Sequence, residues 1–404
     1  KEPMNMKLTP SLSLISVVLA AALVGCGKKE EAAPAPAAAP ASAPVAAAPA
    51  PAVPEPAIIF DMGGKFDKSF NQAAYDGMEL WKKETGKTYL EFEIANESQR
   101  EQAIRRMAER GASPIIGIGF GQAESIEKVA KDFPKLQFAI IDMVVNQPNV
   151  QSVVFKEQEG SFLVGAMAAL ASKSGKVGFV GGMDIPLIRK FQCGYEQGAK
   201  FAKPKTQVFA NMTGTTGAAW NDPARGGELA KAQFSKGADV VFAAAGGTGM
   251  GVYQAAKDAK KLAIGVDSNQ NHIQPGTMLT SMLKRVDVAV YNVAKGHTPG
   301  VSVLGLKEGG VDYAMDDNNA KLVTEDMKAK VEAAKKDGSW NALDGVEALE
   351  IPSDLAKALS KNKTAKEYFD AFPRSVKRGI LEWILNAKKP ETRAKRIEET
   401  VALA

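Results

Sequence analysis

From residue 57 onward, short apolar segments alternate with longer segments whose apolar positions recur at helical spacing. The short segments are rich in Ile, Val, Phe and Ala and predict β-strands, whereas the longer ones predict amphipathic helices. A first series of predicted strands covers residues 57–61, 88–94, 114–119, 137–142 and 150–155. A second series covers residues 176–181, 207–211, 240–245, 262–267 and 277–283. The clearest intervening helices are predicted at 69–85, 97–110, 125–132, 187–201 and 223–236.

Strands that alternate with helices predict parallel sheets with helices on both faces. Because the two strand series are separated near residues 171–175, we expect two open sheets in tandem, that is, an α/β protein with two lobes. Ligands of such folds bind outside the carboxyl ends of the strands. A ligand between two lobes would contact both sets of strand ends, so residues of functional type should follow the strands directly.

Polar and aromatic residues do follow the predicted strands. They are Asp61, segment 66–72 and Asp142 in the first series, and segment 213–223 with Trp220, loop 246–251, Asp267 and Lys284 in the second. The carboxylates Asp61, Asp67, Asp142 and Asp267 could pair as acid and base, as in glycoside hydrolysis. The sequence supplies no nucleophile with a nearby base, so we interpret them as acceptors for ligand hydroxyl and N–H groups.

The glycine-rich loop 246–251 follows a strand and opens a helix, which is where phosphate-binding loops lie. It does not have the spacing of a dinucleotide-binding motif, because Val252 stands where its last glycine is needed. Its bare backbone N–H groups instead suit a hydroxyl-rich ligand. The chain has two histidines, His272 and His297, which is few for a metal site or a catalytic relay. We therefore expect no cofactor, no metal and no catalytic residues.

The positive net charge of +5 is concentrated at the C-terminus. Residues 352–404 hold 12 Lys and Arg against 7 Asp and Glu, whereas residues 1–351 hold 39 of each sign. A neutral main body argues against a nucleic-acid partner, because phosphate binding requires clustered cations. The basic segment has to be interpreted separately.

The first residues are typical of an export signal. Lys7 precedes an uncharged apolar run at 12–23, which is shorter than the roughly 20 residues needed to span a bilayer. The run ends in Leu-Val-Gly-Cys at Cys26, which resembles a lipoprotein box; the alternative is an ordinary signal peptide with an incidental cysteine. The resemblance implies a signal peptide at 1–25, lipidation of Cys26 and a location in the cell envelope, anchored to a membrane and facing the periplasm or the outside.

Residues 26–56 consist almost entirely of Ala and Pro after a short charged patch. Such a composition cannot bury a core, and proline keeps the chain extended, so we interpret this segment as a tether. If Cys26 is lipidated, the second cysteine, Cys193, cannot form an intramolecular disulfide.

Six motifs resemble the basic membrane protein family, which comprises purine nucleoside receptor lipoproteins of ABC transporters. They are DKSFNQ at 67–72, EQEGSFLVG at 157–165, VGFVGG at 177–182, NDP at 221–223, AGGTG at 245–249 and GVD at 265–267. The resemblance runs from about residue 57 to about 330, with the motifs in the family's order. It implies a type I periplasmic-binding-protein fold, in which strands that cross between two lobes form a hinge. We assign residues 57–335 to this bilobed domain.

The resemblance also implies roles for individual residues. The family's base-stacking aromatics fall on Phe70 and Trp220, one from each lobe. Asn71 and Asp142 would bind the edge of the base, since a carboxylate accepts from N–H groups and an amide both donates and accepts. Many relatives have Phe where Trp220 stands, and a larger ring could alter which base fits. The preference for purines is accordingly an expectation from the family.

Further residues are implied around the sugar. Asp267, with the backbone of Gly246 and Gly247, would bind ribose hydroxyls, and Lys284 would donate to the sugar or the base. Asp67 and Ser69 are counted with the ligand-binding set, although they could order the loop instead of contacting the ligand. The partners that the resemblance implies are the nucleoside, the permease and ATPase subunits of an ABC importer, and the membrane through the lipid anchor.

The segment 338–404 lies outside that family's usual ending. Its sequence at 340–355, 375–383 and 388–397 resembles the small helical module of bacteriocin-protection or OmpD-associated proteins. This module carries the excess positive charge, which indicates either a solvated helical face or a surface for an anionic partner. It is ordinarily found in proteins without an export signal, so a true fusion and a joined reading frame both stay open.

Three functions follow from these patterns. The leading hypothesis is a lipid-anchored receptor that captures nucleosides for an ABC importer and is not an enzyme. The second is a binding protein for a sugar or a signalling molecule. The third, of a different class, is an enzyme that acts on nucleosides, such as a hydrolase.

Overall fold

The computed structural model describes residues 54–340, 344–385, 387 and 389–403. The predicted signal peptide, the lipidation site at Cys26 and nearly all of the predicted tether lie outside these residues. None of the helices in the described ranges is both long enough and apolar enough to span a membrane.

The first lobe is built on a sheet of six parallel strands. Its strands are β1 (Ala57–Phe60), β2 (Leu90–Glu93), β3 (Ile115–Gly117), β4 (Phe138–Ile141), β5 (Val150–Phe155) and β11 (Gly300–Leu304), in the order β11-β5-β4-β3-β1-β2. Every residue of β1, β3 and β4 is buried, as expected for central strands covered on both faces. The covering helices are α1 (Phe70–Thr85), α2 (Arg100–Glu109), α3 (Ala123–Asp132) and α8 (Val286–Lys295).

The second lobe repeats this arrangement. Its strands are β6 (Lys176–Met183), β7 (Gln207–Gly214), β8 (Val240–Ala244), β9 (Leu262–Asp267), β10 (Met278–Lys284) and β12 (Val311–Tyr313), in the order β12-β10-β9-β8-β6-β7. All neighbouring pairs are parallel except β10 and β12. Its helices are α4 (Glu157–Ala171), α5 (Pro186–Ala202), α6 (Pro223–Ser235), α7 (Gly249–Asp258) and α9 (Glu325–Asp337).

Three segments pass between the two sheets. They join β5 to α4 at 155–157, β10 to α8 at 284–286, and β11 to β12 at 304–311. The predicted α/β class, with two lobes, parallel sheets and a hinge of crossing strands, is therefore confirmed. All ten predicted strands are present. The strands β11 and β12 are additional, and the chain enters the second lobe before α4 instead of near residues 171–175.

From Phe162 onward, helix α4 is apolar around its whole circumference, as expected of a helix buried between other elements. Its packing against α5 is close: a Cβ atom at Gly198 would lie 1.9 Å from the carbonyl oxygen of Phe162. Glycine at this position lets the two helix backbones approach each other, and α5 is thereby fixed along one wall of the second lobe.

Within the described residues, the C-terminal segment contains five α-helices, α10 (Asp344–Glu347), α11 (Ser353–Ser360), α12 (Lys363–Ala371), α13 (Arg374–Leu385) and α14 (Pro390–Leu403). They enclose an apolar core of their own that includes Leu355 and Phe369, and Cys193 of α5 belongs to the same cluster. The side-chain amide of Gln197, also on α5, donates to the carboxylate of Glu382. The predicted helical module is therefore present, and it packs against the second lobe.

Candidate functional site

A cavity lies where the carboxyl ends of both sheets converge. It encloses about 600 Å³ of space not filled by protein atoms, part of which is continuous with solvent. The first lobe contributes Asp61, Met62, Asp67, Phe70, Asn71, Gly119, Phe120 and Asp142. The second lobe contributes Leu187, Ile188, Phe191, Trp220, Ala244, Ala245, Gly246, Val266, Asp267 and Lys284.

The structure brings together most of the residues predicted from the sequence. Eight of the ten predicted ligand-binding residues line the cavity, namely Asp67, Phe70, Asn71, Asp142, Trp220, Gly246, Asp267 and Lys284. The other two, Ser69 and Gly247, lie behind this lining: Ser69 is buried against Asp267, and Gly247 is packed near Asn221. The carboxyl-end rule accounts for this convergence, because the sheets direct their strand ends toward each other.

Aromatic side chains from both lobes line the cavity, and the sequence predicts two of them, Phe70 and Trp220, as base-stacking residues. Phe70 is the first residue of α1, and Trp220 ends a short 3₁₀ turn, Gly217–Trp220, that follows β7. Both are half-buried. The hydroxyl of Thr248 donates to the carbonyl of Ala219 (2.8 Å) and accepts from the backbone N–H of Asp222 (2.7 Å), so the backbone on both sides of Trp220 is anchored.

The loop before α1 is ordered by the Asp67 carboxylate. It accepts from the backbone N–H groups of Ser69 (2.8 Å), Asn71 (3.0 Å) and Gln72 (3.1 Å), which are donors at the start of the helix. The Asn71 side chain continues this network: its Oδ1 accepts from the Asp61 backbone (3.0 Å) and its Nδ2 donates to Asp67 (3.2 Å). Asp67 and Asn71 thus have bonds within the protein that hold Phe70 at the cavity.

Asp61 is held in an ion pair with Arg100, in which Nη2 lies 3.0 Å from Oδ1. The carboxylate also accepts from the backbone N–H of Met62 (2.9 Å). With both contacts made inside the protein, Asp61 fits the role of a structural acceptor better than that of a catalytic acid or base.

Asp142 and Asp267 share an unusual backbone conformation. Their φ angles are 75° and 64°, in the left-handed region that few non-glycine residues adopt. Asp142 directly follows β4, and Asp267 is the last residue of β9. Strained conformations of this kind cluster at functional sites, and here both place a buried carboxylate at the cavity.

Lys284, the last residue of β10, is buried at the centre of the site. Its Nζ lies 2.6 Å from Oδ2 of Asp142 and 3.2 Å from Oε1 of Glu157. Burial alone would lower the pKa of Lys284, but the negative charges of Asp142, Glu157 and Asp267 outweigh this and raise the pKa above its usual value. Lys284 therefore stays protonated, and its Nζ lies 5.2 Å from the centre of the Phe70 ring.

The carboxylates of Asp142 and Asp267 differ in the hydrogen bonds that they already accept from the protein. Oδ1 of Asp142 is buried and receives no hydrogen bond from any residue in the described ranges. Oδ2 of Asp267 accepts from the Ser69 hydroxyl at 2.6 Å, which links the two lobes. Burial raises the pKa of Asp267 to about 7, although the charge of Lys284 opposes this shift. Burial likewise raises the pKa of Asp142, again opposed by Lys284.

Sequence reasoning missed two kinds of residue. Glu157 lies in the EQEGSFLVG motif, where the sequence assigns it no role, yet it is fully buried and forms an ion pair with Lys284. It follows β5 closely, so the strand-end rule could have identified it. The apolar wall formed by Leu187, Ile188 and Phe191 of α5 lacks such a signal, because these residues also fit the buried face of an ordinary amphipathic helix.

The side chains of the cavity suit the binding of a small molecule. Across the described residues, no group of three or more His, Cys, Asp or Glu side chains is placed to hold a metal ion. His297 lies away from the cavity, with Nε2 2.7 Å from the carbonyl oxygen of Phe138. The cavity offers aromatic side chains from both lobes, the three buried carboxylates of Asp61, Asp142 and Asp267, and the buried ammonium group of Lys284.

Comparisons with known proteins agree with this description. The model of the bacteriocin-protection, YdeI or OmpD-associated family matches residues 348–404. A crystal structure of an ABC transporter solute-binding protein from Aeropyrum pernix K1 aligns with a TM-score of 0.61 and 26% identity, over 87% of this chain and 90% of that one. An arabinose-binding protein from Geobacillus stearothermophilus, at 12% identity and a TM-score of 0.51, shares the fold alone.

Sequence relatives cover most of the two-lobed domain. The ABC transporter nucleoside-binding protein BmpA of Lactococcus lactis subsp. cremoris is 34% identical over 68% of this chain and 86% of its own length. Basic membrane protein D of Borreliella burgdorferi is 32% identical over 62% of this chain and 76% of its own. The family model described as ABC transporter substrate-binding protein PnrA-like matches residues 55–339. The chain therefore belongs to this Bmp family of ABC transporter substrate-binding proteins.

Proposed function

We propose that this protein captures nucleosides, preferentially purine nucleosides, between its two lobes and delivers them to an ABC importer. The observation that carries the proposal is that Phe70 and Trp220, one from each lobe, border the same cavity as the buried carboxylates Asp142 and Asp267. Stacking on an aromatic face contributes roughly 1–3 kcal/mol per base. A base enclosed by both rings would hold the lobes together, which couples binding to closure.

Asp142 is the proposed partner of the base edge. Its Oδ1 is a buried acceptor that receives no hydrogen bond from the described residues. Leaving such an atom unbonded costs about 1–3 kcal/mol of free energy, so a donor on the ligand would be favoured there. Guanine and hypoxanthine present a ring N–H that can donate to it, whereas the corresponding ring nitrogen of adenine is an acceptor. Guanosine and inosine should therefore bind more tightly than adenosine.

Asp267, with the neighbouring Gly246 backbone, is the proposed partner of the ribose. The carboxylate accepts from hydroxyl groups, as its bond with the Ser69 hydroxyl illustrates. Lys284 forms ion pairs with Asp142 and Glu157, so its main proposed role is to keep the Asp142 carboxylate ionised and oriented. Gly247 and Ser69 would support the site from behind the lining.

We also propose that the protein is located in the cell envelope. The lipoprotein box at Cys26 and the Ala/Pro-rich segment 26–56 favour a lipid anchor with an extended tether, so that the two-lobed domain works close to a membrane. We infer that the permease and ATPase subunits of an ABC importer are the protein partners. The matching family model and the relative BmpA are described as substrate- and nucleoside-binding proteins, which supports a protein without chemistry of its own.

Calorimetric titration with guanosine, inosine, adenosine, cytidine and ribose tests the proposal. Binding of the purine nucleosides without release of free base is the expected result. Binding of ribose alone would instead identify a sugar receptor, and release of free base would identify a nucleoside hydrolase. In a parallel titration, Trp220→Ala should remove most of the affinity while the protein stays folded. Its melting temperature should fall only modestly, because the ring is half-buried and packs against the edge of the core.

A further inference from the structure

The Trp220 ring lies directly on a glycine of the central strand β6. A Cβ atom at Gly182 would be 2.2 Å from Cζ3, 2.4 Å from Cε3 and 2.9 Å from Cη2 of the indole. Carbon atoms that are not bonded to each other are normally about 3.5–4.0 Å apart. Of all residues, only glycine therefore leaves room for the indole in its present position.

The backbone of Trp220 restricts how the ring could adapt. Thr248 bonds to the backbone of Ala219 and Asp222, which flank the turn at Trp220. A Cβ atom at Gly246 would already lie 3.3 Å from the Trp220 carbonyl oxygen. The ring is thus confined between the anchored turn and β6. A methyl group at residue 182 would displace the ring away from β6 and into the cavity that it lines.

We propose that Gly182 is a positioning residue that sets the depth and tilt of the Trp220 ring, and thereby the width of the slot that receives the base. This inference rests on the proposed function, in which Trp220 stacks on the base. It gives a role to the VGFVGG segment, whose strand supplies no side chain to the cavity. The size of the side chain tolerated at residue 182 should therefore depend on the ring at residue 220. The contacting atoms Cζ3 and Cη2 belong to the outer part of the indole, which a phenyl ring lacks.

Gly182→Ala tests the inference, with Gly214→Ala as its matched control. Gly214 ends the neighbouring strand β7, and a Cβ atom there would make an ordinary contact of 3.6 Å with Ala219. We expect Gly182→Ala to weaken binding of guanosine about tenfold or more. A tenfold loss corresponds to about 1.4 kcal/mol, which lies within the range that stacking on one aromatic ring contributes. Gly214→Ala should bind within about twofold of the parent protein. Affinity is measured by calorimetry, with the melting temperature of each variant.

The double variant Gly182→Ala/Trp220→Phe provides the rescue. A smaller ring leaves space for the methyl group, so the double variant should recover most of the affinity lost in Gly182→Ala, and Trp220→Phe alone should bind nearly as well as the parent. Recovery of this kind would not follow if the alanine merely weakened the strand. If Gly182→Ala does not fold, a folded and binding double variant still supports the inference, and an unfolded one overturns it.

The outcomes separate this inference from the function on which it rests. Parent-like binding by Gly182→Ala, or a loss that Trp220→Phe does not restore, contradicts the role of Gly182 and leaves nucleoside capture intact. Parent-like binding by Trp220→Ala contradicts the stacking clamp itself. The change in tryptophan emission on adding guanosine gives a second readout, because it should vanish in Trp220→Phe and shift in Gly182→Ala.

Discussion

The ammonium group of Lys284 lies 3.2 Å from the carboxylate of Glu157, and both residues stand where the chain passes between the lobes. Glu157 is the first residue of α4, just after β5 crosses, and Lys284 is the last residue of β10, just before the crossing into α8. The same ammonium group forms an ion pair with Asp142, and both residues line the cavity. The ligand site and the hinge thus share one buried network of charges.

Lys284→Met should destabilise the protein strongly. It leaves the buried carboxylates of Asp142 and Glu157 without their shared cation, and breaking a buried pair costs about 3–5 kcal/mol. The free energy of unfolding, measured by urea titration in the absence of ligand, checks this. The control is Lys82→Met, which removes an exposed pair with Glu79 and should cost less than about 1 kcal/mol. Equal losses in the two variants would contradict the network.

Asp142→Asn should weaken guanosine binding by roughly tenfold to 100-fold, since hydrogen bonds to charged groups contribute about 1.5–3 kcal/mol. The substitution keeps the shape of the side chain but removes its charge and replaces one acceptor with a donor. Adenosine, whose ring nitrogen accepts, should lose much less affinity or gain some. Competition titrations with both nucleosides measure the ratio; an unchanged ratio would show that Asp142 does not contact the base.

Affinity for nucleosides should fall as the pH decreases through about 7. Burial raises the pKa of Asp267 to about 7, so the carboxyl group is largely ionised at pH 8 and largely protonated at pH 6. Because a ribose hydroxyl donates best to the ionised form, Kd should rise about tenfold between these two values. Calorimetry across this range gives the profile. Asp267→Asn should bind weakly at every pH and give a much flatter profile.

The C-terminal module should be separable from ligand binding. Phe369 is fully buried in its core, and replacing such a residue by alanine costs about 3–5 kcal/mol, so Phe369→Ala should unfold the module at a lower temperature. The same variant should bind guanosine normally, because the cavity residues lie elsewhere. The thiol of Cys193, buried in the same cluster, should react faster with a thiol reagent. Weaker guanosine binding in this variant would show that the module supports the second lobe.

The strand-end rule explains why much of the site could be predicted. Asp142, Asp267 and Lys284 are polar residues at the ends of strongly apolar strands, and parallel sheets bring such ends together. The bonds that the Asn71 amide forms within the protein were not predictable, because they depend on how the loop folds onto Asp61 and Asp67. The contact between Gly182 and Trp220 could not be predicted either, because it joins segments that follow different strands.

Most strands of the fold could likewise be predicted from the sequence, whereas the edge strands β11 and β12 could not. Central strands such as β4 are buried on both faces and appear as continuous apolar runs, which periodicity detects. Strand β11 lies at the edge of its sheet, and Val301 and Val303 are exposed, so its pattern differs little from that of a loop. Its pairing with β5 could not be deduced, because the partner strands are far apart in sequence.

That pairing has a consequence for how the molecule assembles. The first lobe contains β11 and α8, which belong to the last part of the two-lobed domain to be synthesised, so its sheet stays incomplete until about residue 304 is available. A nascent chain that stops after β10 would expose the open edge of β5 and the side of α1 that α8 covers. The two lobes are therefore interdependent folding units, and contacts of such long sequence separation slow the approach to the native state.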